Sequence, residues 1–331
     1  MIKAGKTAAT GERMAVETVS LSVSYALKQG GKVYALRKAD FRLPEAGSVA
    51  IVGESGCGKS TLALSLLSLL PDNADYSGEA LIFGKKTLGA SGEELRRVRG
   101  IKAGIIFQDP CASLNPVFTI KQQIEETILA HMPGTDKKEL REIGLSLLEE
   151  TGIQDPERVY MSYPHQLSGG QQQRVMTSIA LSCGPGLLIA DEPTTALDVT
   201  VQAQIVALLK KLRKKRRLAL MLITHDLHLA LELSDRIVVM YAGEIVEDSL
   251  IRGVKDARHP YTRLLFEVIP DINSRKKKFK VIPGSLPDLR VLSPGCYFKD
   301  RCPRAKARCG HERPELTGKA GHVCRCFYPL D

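Results

Sequence analysis

The chain has 331 residues, 44% of them apolar, and a formal net charge of +10. That is long enough for two domains and apolar enough for a substantial core. No apolar run reaches the ~18 residues that a membrane-spanning helix needs. Residues 1–13, Met1 to Arg13, are small, polar and basic, without an apolar stretch of signal-peptide type, so a cytosolic chain with a loose N-terminal tail is expected.

In chain order, Val16 to Ser24 alternates apolar and polar residues and predicts a strand, with Tyr25 after it and a turn at Gly30-Gly31. Asp40 to Leu43 and Gly47 to Val52 predict further strands, the second followed by Gly53-Glu54-Ser55-Gly56-Cys57-Gly58-Lys59-Ser60-Thr61. Leu62 to Leu70 is helix-forming and stops at Pro71. Ala80 to Phe83 reads as a strand, Ser91 to Arg99 as a helix, and Ile105 to Phe107 as a buried strand ending at Gln108-Asp109-Pro110. From Ser113 to Ala180 strand-like runs are absent, and Thr119 to Ala130 and Lys137 to Thr151 are helical, as in an insertion between two parts of an α/β core. A loop over Met161 to Gly170 leads to a helix starting near Gln171. The core resumes at Leu187 to Glu192, followed by an amphipathic helix over Thr200 to Leu212, a strand over Leu218 to Thr224 closed by His225-Asp226, and a hairpin around Gly243. Strands alternating with helices imply a mostly parallel sheet. After about Ile251, prolines 270, 283, 287 and 294 and the basic run Arg275 to Lys280 mark a boundary and a small appended module.

Three stretches carry chemistry. Gly53 to Thr61 fits the phosphate-loop pattern G-x-x-x-x-G-K-[ST] at every fixed position, between a strand and a helix. Its glycines let successive N–H groups point inward, and the helix adds its positive end. Lys59 can reach the outer phosphates and the Ser60 hydroxyl can bind magnesium. Gly5-Lys6-Thr7 is a decoy, because nothing occupies the position of the first glycine. At Asp191-Glu192 two carboxylates emerge from a buried strand, where ligands sit in open α/β sheets. Asp191 is placed to hold magnesium and Glu192 to polarise an attacking water. In Leu167-Ser168-Gly169-Gly170-Gln171-Gln172-Gln173-Arg174, Ser168 can cap a helix whose first amides stay bare. One triphosphate rarely needs two such sites from one chain, so this loop is expected to close on the nucleotide of another subunit.

With these motifs together, the chain resembles the ATP-binding subunits of ABC transporters, and more closely those of oligopeptide, dipeptide and nickel importers. The resemblance runs from about Val16 to the C-terminus and includes Gln108, Ala196-Leu197-Asp198, His225, Ser113-Leu114-Asn115-Pro116, Tyr163-Pro164-His165-Gln166 and His259-Pro260-Tyr261-Thr262. It implies an α/β P-loop NTPase core with an antiparallel β subdomain and a helical subdomain near 113–182, the cassette spanning 14–250 and a C-terminal cysteine-rich module spanning 251–331. It implies Tyr25 against adenine, residues 53–61 on the phosphates, and Ser60, Gln108 and Asp191 on magnesium. Ser168, Gly169, Gly170 and Gln171 would contact ATP held by the facing subunit, and Asp198 would lie at that contact. Glu192 would act as general base, with His225 and Gln108 holding the water. It implies two multi-span permease subunits, a second ATP-binding subunit expected to be a paralogue, an extracytoplasmic solute-binding protein, and a place on the cytoplasmic face of the cell membrane.

Of eight cysteines, Cys57, Cys111 and Cys183 are scattered, whereas Cys296, Cys302, Cys309, Cys324 and Cys326 crowd the C-terminal end. In a cytosolic protein such clustering suggests metal, either zinc or an iron–sulfur cluster. The segment resembles the cysteine motif of peptide-importer ATPases, which implies Cys296, Cys302, Cys309 and Cys326 as ligands of a four-iron four-sulfur cluster. Cys324 stands where that family has an apolar residue.

The basic charge permits a soluble ABC-type ATPase acting on nucleic acid or ribosomes. Against this, the basic residues fall in two runs, Lys210 to Arg217 and Arg275 to Lys280, without the aromatic stripe that single strands favour. The gap between phosphate loop and signature also lacks sustained heptads. A phosphate-loop kinase does not account for the signature loop, and no N-K-x-D guanine-reading motif is present for a GTPase.

Overall fold

The computed structural model describes residues 13–195, 197–250, 257–268, 282–319 and 321–330. Most of the N-terminal tail, Ala196, the boundary at Ile251, Pro270 and the run Arg275 to Lys280 lie outside the described residues. The chain opens with β1 (Met14–Ala26), β2 (Lys32–Pro44) and β3 (Ser48–Val52), then α1 (Lys59–Leu66), β4 (Ala74–Ile82), β5 (Lys85–Lys86), α2 (Gly92–Arg96) and β6 (Ala103–Ile106). Helices α3 (Pro110–Ser113), α4 (Ile120–His131), α5 (Lys137–Glu150), α6 (Pro156–Met161) and α7 (Gly169–Leu181) follow without an intervening strand. Then come β7 (Leu187–Asp191), α8 (Val199–Arg216), β8 (Ala219–Thr224), α9 (Leu227–Leu233), β9 (Arg236–Tyr241) and β10 (Glu244–Leu250). The C-terminal part holds α10 (Pro260–Glu267), α11 (Ala307–His311), β11 (Thr317–Lys319) and β12 (His322–Cys324).

Two sheets result. An antiparallel one has the order β2-β1-β4-β5. The main one has the order β11-β12-β10-β9-β3-β8-β7-β6, parallel from β9 to β6. Successive side chains of a strand point to opposite faces, and here each face has its own core. Ala50, Val52, Leu188, Ala190, Leu220 and Leu222 pack under the helices, whereas Val49, Ile51, Leu187, Ile189, Met221 and Ile223 pack toward α1 and the antiparallel sheet.

Helix starts follow local chemistry. Asp109, Thr119, Asp136, Asp155, Ser168, Asp198 and Asp226 each accept a backbone N–H of the first turn. Helix ends do not. The first helix was expected to run to Leu70, but it stops at Leu66, where Arg99 donates to the carbonyls of Leu67 and Ser68 at 2.8 and 2.7 Å. β2 begins at Lys32, well before the expected Asp40, because the whole of it pairs with β1 from Ala26↔Lys32 onward. Helix α8 continues through the basic run, whose charges sit at the helix's negative end. Lys210 pairs with Glu232, Arg213 with Asp235, and Lys215 and Arg216 with Glu150.

Described residues of the expected appended module pair with and pack against the main structure. β12 pairs antiparallel with β10, and Tyr261, Tyr297 and Phe298 belong to the same core as the helical face. Glu247, 1% exposed, is the knot: it accepts the backbone N–H of Arg258 at 2.7 Å and of His259 at 3.0 Å, and its Oε1 lies 2.6 Å from His322 Nε2. Burial, with the charge of Arg325 adding, pushes His259 down to about 3, so its neutral ring accepts the Tyr261 N–H through Nδ1. Glu247→Ala removes the acceptor of the buried His259 N–H and of the part-buried Arg258 N–H, together with the His322 contact, and is expected to destabilise the fold by about 2–4 kcal/mol. Urea unfolding followed by circular dichroism measures this, and a loss under about 0.5 kcal/mol would contradict the knot.

Candidate nucleotide site

The order β3-β8-β7-β6 sets four functional segments side by side at the carboxyl ends of parallel strands. The glycine loop follows β3, His225 follows β8, Asp191 ends β7 with Glu192 next, and Gln108 lies two residues beyond β6. This is where an α/β sheet receives ligands.

The loop curls tightly because its glycines permit it. A Cβ on Gly53 would lie 2.3 Å from the Met240 carbonyl oxygen, and one on Gly58 (φ 103°) 2.3 Å from that of Ala35. Lys59 is buried and folds back, its Nζ donating to the carbonyls of Gly53 at 2.8 Å and Glu54 at 3.0 Å. Ser55, Gly56 and Ser60 are exposed. Cys57 is fully buried beneath the loop, its N–H donating to the Glu54 carbonyl at 3.3 Å and its carbonyl accepting the Gly243 N–H at 2.9 Å. The Tyr25 hydroxyl donates to Thr61 Oγ1 at 3.1 Å, which pins the end of β1 to the loop–helix junction.

Glu192 has a left-handed backbone, φ 47°, unusual outside glycine and a form of strain found at functional sites. Its N–H is held by the Ile223 carbonyl of β8 at 2.8 Å. The carboxylate accepts Gln108 Nε2 at 3.0 Å and Thr195 Oγ1 at 2.9 Å, and lies 3.1 Å from His225 Nδ1. Burial pushes this carboxyl up, but the hydrogen bonds from His225 and Thr195 outweigh it and hold it below its ordinary value, so it is ionised at neutral pH. Thr195 was not singled out from the sequence; its place three residues after Glu192, in the tight turn beyond β7, was the available signal.

Asp191 differs. Burial, and then the charge of Glu192, raise its carboxyl, while the Ser60 hydroxyl and Lys59 act against the rise. Its Oδ1 is buried without a hydrogen-bond partner. An orphaned carboxylate oxygen beside a serine hydroxyl and a phosphate loop is a donor set that suits a hard divalent cation. The Gln108 amide nitrogen is spent on Glu192, which leaves its carbonyl oxygen for a metal.

Ser168 and Gly169 are exposed. The Ser168 hydroxyl accepts the Gln171 N–H at 3.4 Å and its own N–H donates to Gln171 Oε1 at 3.0 Å, so the described hydrogen bonds of this turn stay within its own helix start. Gly170 faces Val201 of α8, not the glycine loop. Asp198 is exposed at the N-cap of α8, beside Val199, which is 82% exposed.

Cys296, Cys302, Cys309 and Cys326 line one small cavity together with His259, Phe298 and Tyr328. Cys324 is not among its lining residues; it is buried in β12 opposite Glu247. Burial, with the other three thiols adding, pushes Cys296 up to about 11. The expected metal site is not preformed: among the described residues, no group of three or more His, Cys, Asp or Glu is placed to hold a metal ion.

Two contacts to the loop come from far along the chain. The Tyr261 hydroxyl accepts the Glu54 N–H at 3.0 Å, and Arg301 pairs with the Glu54 carboxylate. Tyr261 was legible only as part of His259-Pro260-Tyr261-Thr262, and Arg301 carried no signal beyond lying between two cysteines.

The comparisons with known proteins agree with this geometry. A family model described as "ABC transporter" matches residues 36–195, and one described as "Oligopeptide/dipeptide transporter, C-terminal region" matches residues 248–309. The chain is 42% identical over 308 residues to the oligopeptide transport ATP-binding protein AppD of Bacillus subtilis, covering 92% of this chain and 94% of that one. It is 43% identical over 300 residues to the dipeptide transport ATP-binding protein DppD of Escherichia coli, covering 90% and 91%. Among solved structures, the ATP-binding cassette MJ0796 in a dimeric post-hydrolysis state bound to ADP and Pi is similar with a TM-score of 0.64 at 32% identity, over 72% of this chain and 99% of that one. The chain therefore belongs to the ABC transporter ATP-binding family, in its oligopeptide/dipeptide branch.

Proposed function

We propose that this chain is the ATP-hydrolysing subunit of an importer of di- or oligopeptides. The observation that carries it is the Glu192 carboxyl group, held by Gln108, Thr195 and His225 in the row of strand ends that also bears the glycine loop. Loop amides and Lys59 hold the triphosphate, with Tyr25 against adenine. Ser60, Asp191 and Gln108 are the residues that would hold magnesium, which would screen phosphate charge. Glu192 takes the proton of the attacking water, and His225 holds that water in line. Ser168 to Gln171 complete the site of a facing subunit, and Asp198 lies at that contact; the exposed signature turn supports this.

In this reading residues 14–250 are the cassette, 113–182 its helical arm and 251–331 its C-terminal extension. The arm carries exposed apolar side chains, with Val117 70% and Met161 61% exposed, besides Phe118 and Tyr163. These suit docking to two multi-span permeases, with a solute-binding protein outside and a paralogous ATPase as second subunit. Among the described residues no helix is long and apolar enough to cross a membrane, so attachment to the cytoplasmic face is through partners. Nucleic acid is not expected, since the basic run of α8 is largely engaged by acidic neighbours. A tagged chain purified from detergent-solubilised membranes should carry two multi-span proteins. Recovery free of any membrane protein, with ATPase activity stimulated by DNA or ribosomes, would overturn this reading.

The shared cavity of Cys296, Cys302, Cys309 and Cys326 supports those four as ligands of a four-iron four-sulfur cluster, with zinc as the alternative occupant. Protein purified without oxygen is expected to be brown, absorbing near about 400 nm and containing iron and sulfide. A colourless product with one zinc per chain would assign zinc, and one with neither would remove the metal altogether.

A further inference from the structure

Glu54 sits inside the phosphate-binding loop, where a carboxylate works against the loop's task. A negative charge a few ångströms from a triphosphate opposes binding, strongly where water is partly excluded. The structure cancels that charge with a residue 247 positions away. Arg301 Nη1 donates to Glu54 Oε2 at 2.8 Å and Nη2 to Oε1 at 2.9 Å, a bidentate pair. Its remaining N–H groups reach the carbonyls of Pro283 at 2.8 Å and Ile282 at 3.4 Å and the Tyr241 hydroxyl at 3.3 Å, and its side chain is only 7% exposed. Every donor of the guanidinium is thus occupied, so the fork is preorganised and has no other orientation to adopt. The Tyr261 hydroxyl holds the Glu54 N–H from the same side. The turn carrying Arg301, Lys299 to Arg301, lies between Cys296 and Cys302 and is closed by N–H groups of Lys299 and Cys302 bonding to Cys296 and Lys299 carbonyls.

We propose that Arg301, supplied by the C-terminal extension, is a positioning residue of the nucleotide site: it neutralises Glu54 and fixes the phosphate loop in the shape that accepts a triphosphate. The proposal rests on Gly53 to Thr61 being the nucleotide site, and it makes ATP affinity depend on a segment outside the cassette.

The test is ATP binding by the full chain in magnesium buffer, measured by calorimetry. Arg301→Ala is expected to bind ATP ~10-fold more weakly, the size of a lost partly screened charge contact. Glu54→Gln/Arg301→Ala is expected to recover most of that loss, because the carboxylate left unpaired is gone. A merely structural Arg301 gives no such recovery. Wild-type affinity in Arg301→Ala, or a double variant no tighter than the single one, overturns the proposal. Should Arg301→Ala not fold, Arg301→Gln and Glu54→Gln/Arg301→Gln make the same comparison with the side-chain volume largely kept. Lys59→Ala separates the two levels of the reading. If it binds ATP normally, the loop is not the nucleotide site. If it loses ATP while Arg301→Ala does not, only the role of Arg301 fails.

Discussion

Glu192→Gln is expected to keep ATP bound and to lower its hydrolysis by ~10²–10⁴-fold, the usual cost of losing a general base. The amide preserves the shape of the side chain and can still meet Thr195 and Gln108, so the loop and the strand ends stay in place. What disappears is a proton acceptor whose ionised form burial opposes and that the hydrogen bonds from His225 and Thr195 keep ionised. In the proposed two-chain arrangement, the variant should accumulate as an ATP-bound dimer, visible as a concentration-dependent shift on size exclusion. Turnover at the parent rate would mean that another group activates the water. The low position of this carboxyl also sets the pH behaviour. Its base form is present at neutral pH and is lost at a lower pH than an ordinary glutamate would lose it, so the acid limb of the rate profile is expected to lie below the ordinary glutamate value.

Ser168→Arg should be equally damaging, by a different route. The serine caps α7 from an exposed turn whose described hydrogen bonds stay within its own helix start, at Gln171 and Gln172. A single chain should therefore bind ATP through its own glycine loop almost normally after the change. Hydrolysis should fall by ~10²-fold or more, as when a positioned donor to a developing charge is removed. Titrating the variant against Glu192→Gln chains gives the sharper reading. In a mixed pair, one site has an intact loop with Glu192 and faces an intact Ser168, and the other site lacks both. Activity of mixtures above that of either variant alone supports sites built from two chains. No gain at any ratio would count against that arrangement.

Much of this site could be read from the residues themselves. The phosphate loop, the signature turn and Asp191-Glu192 are each contiguous, and each depends on rules that act over a few residues: glycine where the backbone must curl, a serine before bare helix amides, two carboxylates after a buried strand. Strand positions in the parallel core were equally plain, since Ile51, Ile189 and Ile223 lie in uninterrupted apolar runs. The first half of β2 was not, because Lys32, Arg37 and Lys38 hide a strand that exists by pairing with β1. The end of α1 was not either, because the carbonyls of Leu67 and Ser68 just beyond it are satisfied by Arg99 from another segment.

The sequence by itself therefore determined the segments that meet at the strand ends, because they are short and chemically explicit. Tertiary structure alone decided how the described residues beyond 250 meet the rest of the chain. It runs β12 along β10, ties α10 to the sheet through Glu247, and sends Tyr261 and Arg301 to the phosphate loop. No local pattern encodes a contact between Glu54 and Arg301, because it exists only when burial of Tyr241, Tyr261 and Phe298 folds the two ends of the chain onto one core.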